Sequence, residues 1–312
     1  MFSVKCYQPE FKPQWDQFIE RSKNGFFMFR RDYMDYHADR FSDHSLCFFR
    51  DDVLFALMPA SAHEHELVSH GGLTFGGILS DDRMKTPYML EIFDTLMNYL
   101  RTEGFISCLY KTVPYIYHRH PAQEDKYALF RHGATLKKCE ITSSICRAQP
   151  IDYSERRRRG IKKAHKLDMR FERSEDYAGY FALVGDILQD KYDTQPTHSA
   201  EEMALLAGRF PQNIALWTTR SAQQALLAGI IMYVDAQVAH AQYIAASPEG
   251  KESGALDALF DHLIREVYNS QPYFDFGIST EQGGKHLNLG LVTQKEEFGA
   301  RAIAHETYTL TL

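Results

Sequence analysis

A chain of 312 residues exceeds what one hydrophobic core usually serves, so two domains of roughly 150 residues are expected. A 44% hydrophobic and 24% charged composition excludes a disordered chain, and a net charge of −6 excludes indiscriminate nucleic-acid binding while leaving room for a local basic patch. No apolar run approaches the ~20 residues that span a bilayer, and the five scattered cysteines lack Cys-x-x-Cys spacing, so a cytoplasmic protein with reduced thiols, no disulfide framework and no zinc is expected.

The chain opens with an apolar-spaced helix carrying Trp15, Phe18 and Ile19, then a second around Tyr33, Tyr36, His37 and Phe41. Ser45 to Phe49 and Val53 to Met58 flank Arg50-Asp51-Asp52, a hairpin signal. A strand through Leu67 and Val68 leads into the glycine loop Gly71 to Gly77, and Thr86-Pro87 reads as an N-cap followed by proline at the first helical position. Leu90, Phe93, Leu96, Met97 and Leu100 form the buried face of that helix, and strands follow from Phe105 to Tyr110 and between Leu136 and Arg147.

After the basic segment Ser154 to Lys166, a strand at Met169 to Glu172 precedes a helix that Ser174 can cap. Ser199-Ala200-Glu201-Glu202 is a capping box for a shorter helix. Three strands follow, Ile214 to Thr219, Ala225 to Val234 and Val238 to Ala246; then a loop from Ser247 to Gly254; then an amphipathic helix with Leu256, Leu259, Phe260, Leu263, Ile264 and Val267 on one face. A strand at Tyr273 to Phe276, a polar glycine-rich loop and a last strand near Ala302 to Leu310 complete the chain.

The two halves share one order of elements. Arg40 and Arg209, Leu100 and Val267, and Phe105 and Tyr273 are equivalent landmarks, at offsets of 169, 167 and 168 residues. A common offset points to a duplicated fold with its boundary near residues 148 to 160. The fold class is α/β (α+β), with domains at 1–150 and 151–312, each a mixed, mainly antiparallel sheet flanked by helices.

The basic run before a lysine-alanine pair (Arg156 to Ala164), Tyr273-Phe274-Asp275-Phe276-Gly277 and Lys295-Glu296-Glu297-Phe298-Gly299 carry a resemblance. With the order of elements, they make the chain resemble a tandem GNAT-fold acyltransferase of the FemAB-like branch, whose members transfer amino-acyl or acyl groups to amines of cell-envelope precursors. The resemblance implies acyl-CoA, acetyl-CoA first, as donor and no metal. It implies a small-molecule or envelope-precursor acceptor, with aminoacyl-tRNA as the alternative donor and a non-catalytic GNAT-fold binding protein as the alternative class. The Ser247 to Gly254 loop lacks the Gln/Arg-x-x-Gly-x-Gly/Ala spacing of the acetyl-CoA-binding members. The first domain, where Asp81 and Asp82 would repel a pyrophosphate, is expected to be degenerate and to shape the acceptor groove.

Amide formation needs a neutral amine, a donor carbonyl beside it and hydrogen-bond donors aimed at the oxyanion. Lys295 inherits from the resemblance the role of stabilising charge on the tetrahedral intermediate. Strand alternation puts His240 and Gln242 on one face and Tyr243 on the other. His240 reads as a base or as a hydrogen-bonded core histidine, and Tyr243 as the proton donor to a leaving thiolate or as packing. Gly250, Lys251, Ser253 and Gly254 are the donor-loop candidates, the bland alternative being an ordinary loop with a cap at Ser253. Asp275 reads as a substrate contact or a salt bridge; His286 and Asn288 are substrate-binding candidates in the polar loop. Arg157 and Arg158, within Arg156 to Arg159, read as an anion contact or as part of a solvated helix. His63-Glu64-His65-Glu66 and His118-Arg119-His120 read as surface loops without the further ligands zinc requires.

Overall fold

The computed structural model describes the backbone of residues 1–312 and the side chains of all but 191 and 192. It divides into two compact units, one of Met1–Ile141, Thr280–His286 and Ile303–Leu312, the other of Thr142–Ser279 and Leu287–Ala302. A single cut near residue 150 therefore does not separate them. The last strand, Arg301–Thr311, lays its end against Ser107–Lys111 of the first unit, from Thr307 opposite Lys111 to Thr311 opposite Ser107.

In the first unit Phe2–Cys6, Leu46–Arg50, Val53–Met58 and Leu79–Ser80 form an antiparallel four-stranded sheet. Its hairpin turns through Asp51 and Asp52 with φ of 50° and 60°, the left-handed pair that matches strand twist. Helix Thr86–Thr102 buries Met89, Ile92, Phe93, Leu96, Met97 and Leu100. Lys85 occupies its N-cap, so Thr86 is already helical and Pro87 stands in the first turn, one residue later than the sequence suggested. The glycine loop is filled from within. The Tyr110 hydroxyl accepts the Ile78 N–H at 2.6 Å and donates to Asp125 at 3.0 Å, and a Cβ on Gly77 would stand 2.7 Å from the Tyr110 ring. Lys111 Nζ donates to the carbonyls of His70 and Leu73 at 2.9 and 2.7 Å.

In the second unit the strands run in the order Arg170–Ser174, Ile214–Arg220, Leu226–Val234, Val238–Ala246, Tyr273–Ile278 and the end of Thr135–Cys146. All neighbours are antiparallel except Val238–Ala246 with Tyr273–Ile278. Phe260 of helix Ala255–His262 packs with Phe274, Phe276 and Phe298 in the core. The helix after Ser174 is capped by Asp176, which accepts the Gly179 N–H; Ser174 ends the preceding strand. The Ser199–Glu202 capping box forms as read.

Two of the bulges, on neighbouring strands, bear on the site. Ile231 pairs with Tyr243 and Met232 with Ala241, so Gln242 is an extra residue on its strand. Between Asp275, opposite Ser144, and Ile278, opposite Thr142, another extra residue is taken up, and Gly277 adopts φ of 77° there. A side chain at that φ is strained, and its Cβ would lie 3.3 Å from the Ala241 carbonyl.

The stretch from Ser247 to Gly254 is not an open loop. Ser247 caps a short helix, Pro248–Ser253, by accepting the Gly250 N–H at 3.0 Å, and Gly254 turns with φ of 79° into the next helix. Ser253 is thus the end of one helix rather than the cap of another. A Cβ on Gly250 would stand 1.9 Å from the Leu227 carbonyl, and one on Gly254 would stand 2.9 Å from the Gly160 carbonyl. Both glycines are needed for close backbone approach.

Candidate active site

The chemistry-bearing groups of the second unit gather where the two bulged strands meet. Val238–Ala246 and Tyr273–Ile278 pair in parallel over three residues, ending with His240 opposite Asp275. Beyond that pair, the edge of residues 241–246 facing the Asp275 strand has no ladder partner among the described residues. An open strand edge offers main-chain N–H and C=O groups to an extended ligand.

His240 Nδ1 lies 2.6 Å from Asp275 Oδ2, and the other carboxylate oxygen accepts the Thr142 hydroxyl at 2.5 Å. Asp275 is fully buried, whereas the His240 side chain keeps 14% of its surface. A carboxylate on Nδ1 holds the imidazole in the Nδ1–H tautomer and leaves Nε2 as the acceptor. Because Asp275 is fully buried, it sits behind His240 rather than against a substrate. Both Asp275 oxygens are engaged within the protein, by His240 and by Thr142.

The bulge at Gln242 alters the strand's faces. Across the ladder Tyr233 opposes His240 and Ile231 opposes Tyr243, and residues two apart on a strand share a face, so His240 and Tyr243 share one too. Simple alternation had put them on opposite faces. Helices Tyr177–Tyr192 and Ala200–Arg209 cover this face: the Tyr243 ring meets Phe181 edge-on at 5.3 Å, and its hydroxyl lies 2.7 Å from His198 Nδ1. Burial raises the Tyr243 pKa, partly offset by the His198 backbone N–H, and keeps the phenol protonated.

Lys295 lies in the last turn of the helix Leu289–Glu296 and is 7% exposed. Its ammonium donates to the carbonyls of Gly277 and Ile278 at 2.8 and 2.7 Å, which the bulge turns toward it. Burial lowers its pKa to about 8, with the Asp275 charge acting in the opposite direction. Between about 8 and about 10.5 the unfolded chain holds a proton that the folded chain has released, so stability rises with pH across that window and is flat below it. Urea unfolding should show the wild type gaining on Lys295→Met from about pH 8 to about pH 10.5. A gap that stays constant over that range would mean that the lysine is not buried as an ammonium.

A cavity of about 340 Å³ is lined by Arg156, Lys163, Gly250, Lys251, Glu252 and Gly254, among others. Gly250, Lys251 and Gly254 of the expected donor loop therefore line one cavity, and Ser253 instead turns its hydroxyl back to the Gly250 carbonyl at 3.2 Å. Arg157 also borders the cavity, but it is 7% exposed and committed to Asp257 at 2.5 Å and Glu297 at 2.8 Å. The anion contact expected of it is already supplied by the protein. Arg158 lies exposed on helix Glu155–Ala164. Asn288 caps the Lys295 helix by accepting the Leu291 N–H at 3.1 Å, and His286 is exposed. Among the described residues no group of three or more His, Cys, Asp or Glu could hold a metal, and no helix is long and apolar enough to cross a membrane.

Residues 153–283 match the acetyltransferase (GNAT) domain family. No curated protein matches the chain. Among solved structures, FemX shares the fold with a TM-score of 0.69 at 11% identity, over 99% of this chain and 97% of that one. L-PGS from Bacillus licheniformis follows the chain with a TM-score of 0.62 at 12% identity, over 97% of this chain and 92% of that one. A conserved protein of unknown function from Bacteroides thetaiotaomicron VPI-5482 gives 0.62 at 10% identity, over the whole of both chains. Residues 153–283 thus carry a GNAT acetyltransferase domain, and the chain as a whole shares the fold of FemX.

Proposed function

We propose that the protein moves an acyl group from acyl-CoA, acetyl-CoA first, to an amine of a sugar or cell-envelope precursor, with His240 as the general base. The observation that carries this reading is the His240–Asp275 pair, a histidine oriented by a fully buried carboxylate and itself still partly exposed. Nε2 takes the proton from the attacking amine, and the Asp275 charge stabilises the imidazolium that forms. Lys295 supplies positive charge toward the tetrahedral intermediate, and Tyr243, held protonated, can return a proton to the leaving thiolate.

The donor fits two features. The amides of a pantetheine arm suit the open edge of residues 241–246, and the cavity cations Arg156, Lys163 and Lys251 suit a diphosphate. A second reading, aminoacyl-tRNA as donor, is favoured by the FemX and L-PGS likenesses and by the exposed Arg158, Lys162 and Lys166. In either reading the acceptor is an amine of a sugar or cell-envelope precursor.

Calorimetry with CoA, acetyl-CoA and tRNA tests the choice. Binding of CoA that weakens about tenfold or more in Lys163→Glu plus Lys251→Glu supports the first reading, since about 1.4 kcal/mol separates tenfold steps in affinity. Heat from tRNA alone moves the assignment to the second. Heat from none of the three leaves a non-catalytic binding protein.

A further inference from the structure

Behind His240 the hydrogen bonds run to Asp275 and on to Thr142. Asp275 has no exposed surface, and a carboxylate that stays charged out of water requires donors on its oxygens. Thr142 is also fully buried, and its hydroxyl donates to Asp275 Oδ1 at 2.5 Å while His240 takes Oδ2. The bond lies beside the bulge at Gly277. Without the extra residue, the register that puts Ser144 opposite Asp275 would continue unbroken; with it, Ile278 and not Gly277 comes opposite Thr142.

We infer that Thr142 is a positioning residue for the reaction: its hydroxyl fixes the Asp275 carboxylate in the plane that His240 Nδ1 requires. The inference rests on the reading of His240 as base. Thr142 touches no substrate; it acts through Asp275 on the tautomer and ring angle of His240. Losing its hydroxyl takes one donor from Oδ1 of a fully buried carboxylate, and the carboxylate then rotates or takes up a proton. Either change loosens its hold on Nδ1–H. A valine keeps the volume and β-branching of threonine, so the strand itself is undisturbed.

The test compares Thr142→Val with Thr142→Ser in the full-length protein. One readout is nitrogen NMR of the His240 ring; the others are kcat and KM for whichever acceptor and donor prove active. The expected result is a mixed-tautomer His240 in the valine variant, with kcat lowered about tenfold at unchanged KM, and wild-type behaviour within about twofold in the serine variant. An Nδ1–H tautomer unaltered in Thr142→Val overturns the inference, as does a serine variant as impaired as the valine one. Full activity in His240→Asn would instead sink the base assignment, and the ring spectrum of Thr142→Val would still report whether Thr142 orients His240.

Discussion

His240→Asn is expected to lower kcat by about 10²–10⁴-fold, the range that a positioned general base contributes. Asparagine suits this test because its amide can still donate to Asp275, which avoids stranding a buried carboxylate and confounding rate with unfolding. What it cannot do is present a basic nitrogen where Nε2 stood. Donor affinity measured by calorimetry should be unchanged, since the cavity lined by Lys163 and Lys251 does not include His240. The loss should therefore appear in kcat, with donor binding intact. A variant that keeps the wild-type rate within about threefold would remove His240 from the chemistry, the bulk of a base's contribution being absent.

Arg157→Ala should cost about 3–5 kcal/mol of stability, the largest effect of any single substitution in the basic helix. The guanidinium is sandwiched between Asp257 and Glu297 and lies 5.3 Å over the Phe298 ring. Burial already raises the Asp257 pKa against the pull of Arg157, so removing the arginine leaves two carboxylates with their partner gone. Urea unfolding measures the loss, and Asp257→Asn with Glu297→Gln in the same background should restore part of it. Arg158→Ala, on the exposed side of the same helix, should change stability by no more than about 0.5 kcal/mol. If the two single variants unfold alike, the ion pairs around Arg157 contribute nothing. A binding assay that neutralises Arg157 and Arg158 together would confuse an anion site with an unfolded one.

The inward turn of Arg157 was open to reading in the sequence. Arg157, Ile161 and Ala164 are spaced by four and three residues, one helical face, and that face is the buried one. The motif Lys-x-x-Phe-Gly also acquires a physical content residue by residue. Lys295 holds the bulge carbonyls and Phe298 joins the aromatic core, while a Cβ on Gly299 would stand 2.1 Å from the Ile151 carbonyl. Periodicity located the strands and helices because burial on one face imposes it. It could not locate the bulges, since an extra residue such as Gln242 leaves no mark in composition, and the one-residue shift moved Tyr243 to the face of His240. Nor could it reveal Thr142, whose partner Asp275 lies 133 residues away and is chosen by strand pairing alone.

The strand Arg301–Thr311 bears on how the molecule is made. Residues Ile303–Leu312 belong to the first compact unit, although the bulk of that unit is encoded before Thr142. During synthesis Ser107–Lys111 waits for its antiparallel neighbour until nearly the whole of the second unit has been translated. Domains that emerge early usually fold early, but here the first unit carries an unfilled sheet edge in the interval, the condition in which a nascent chain is most open to pairing with another copy of itself.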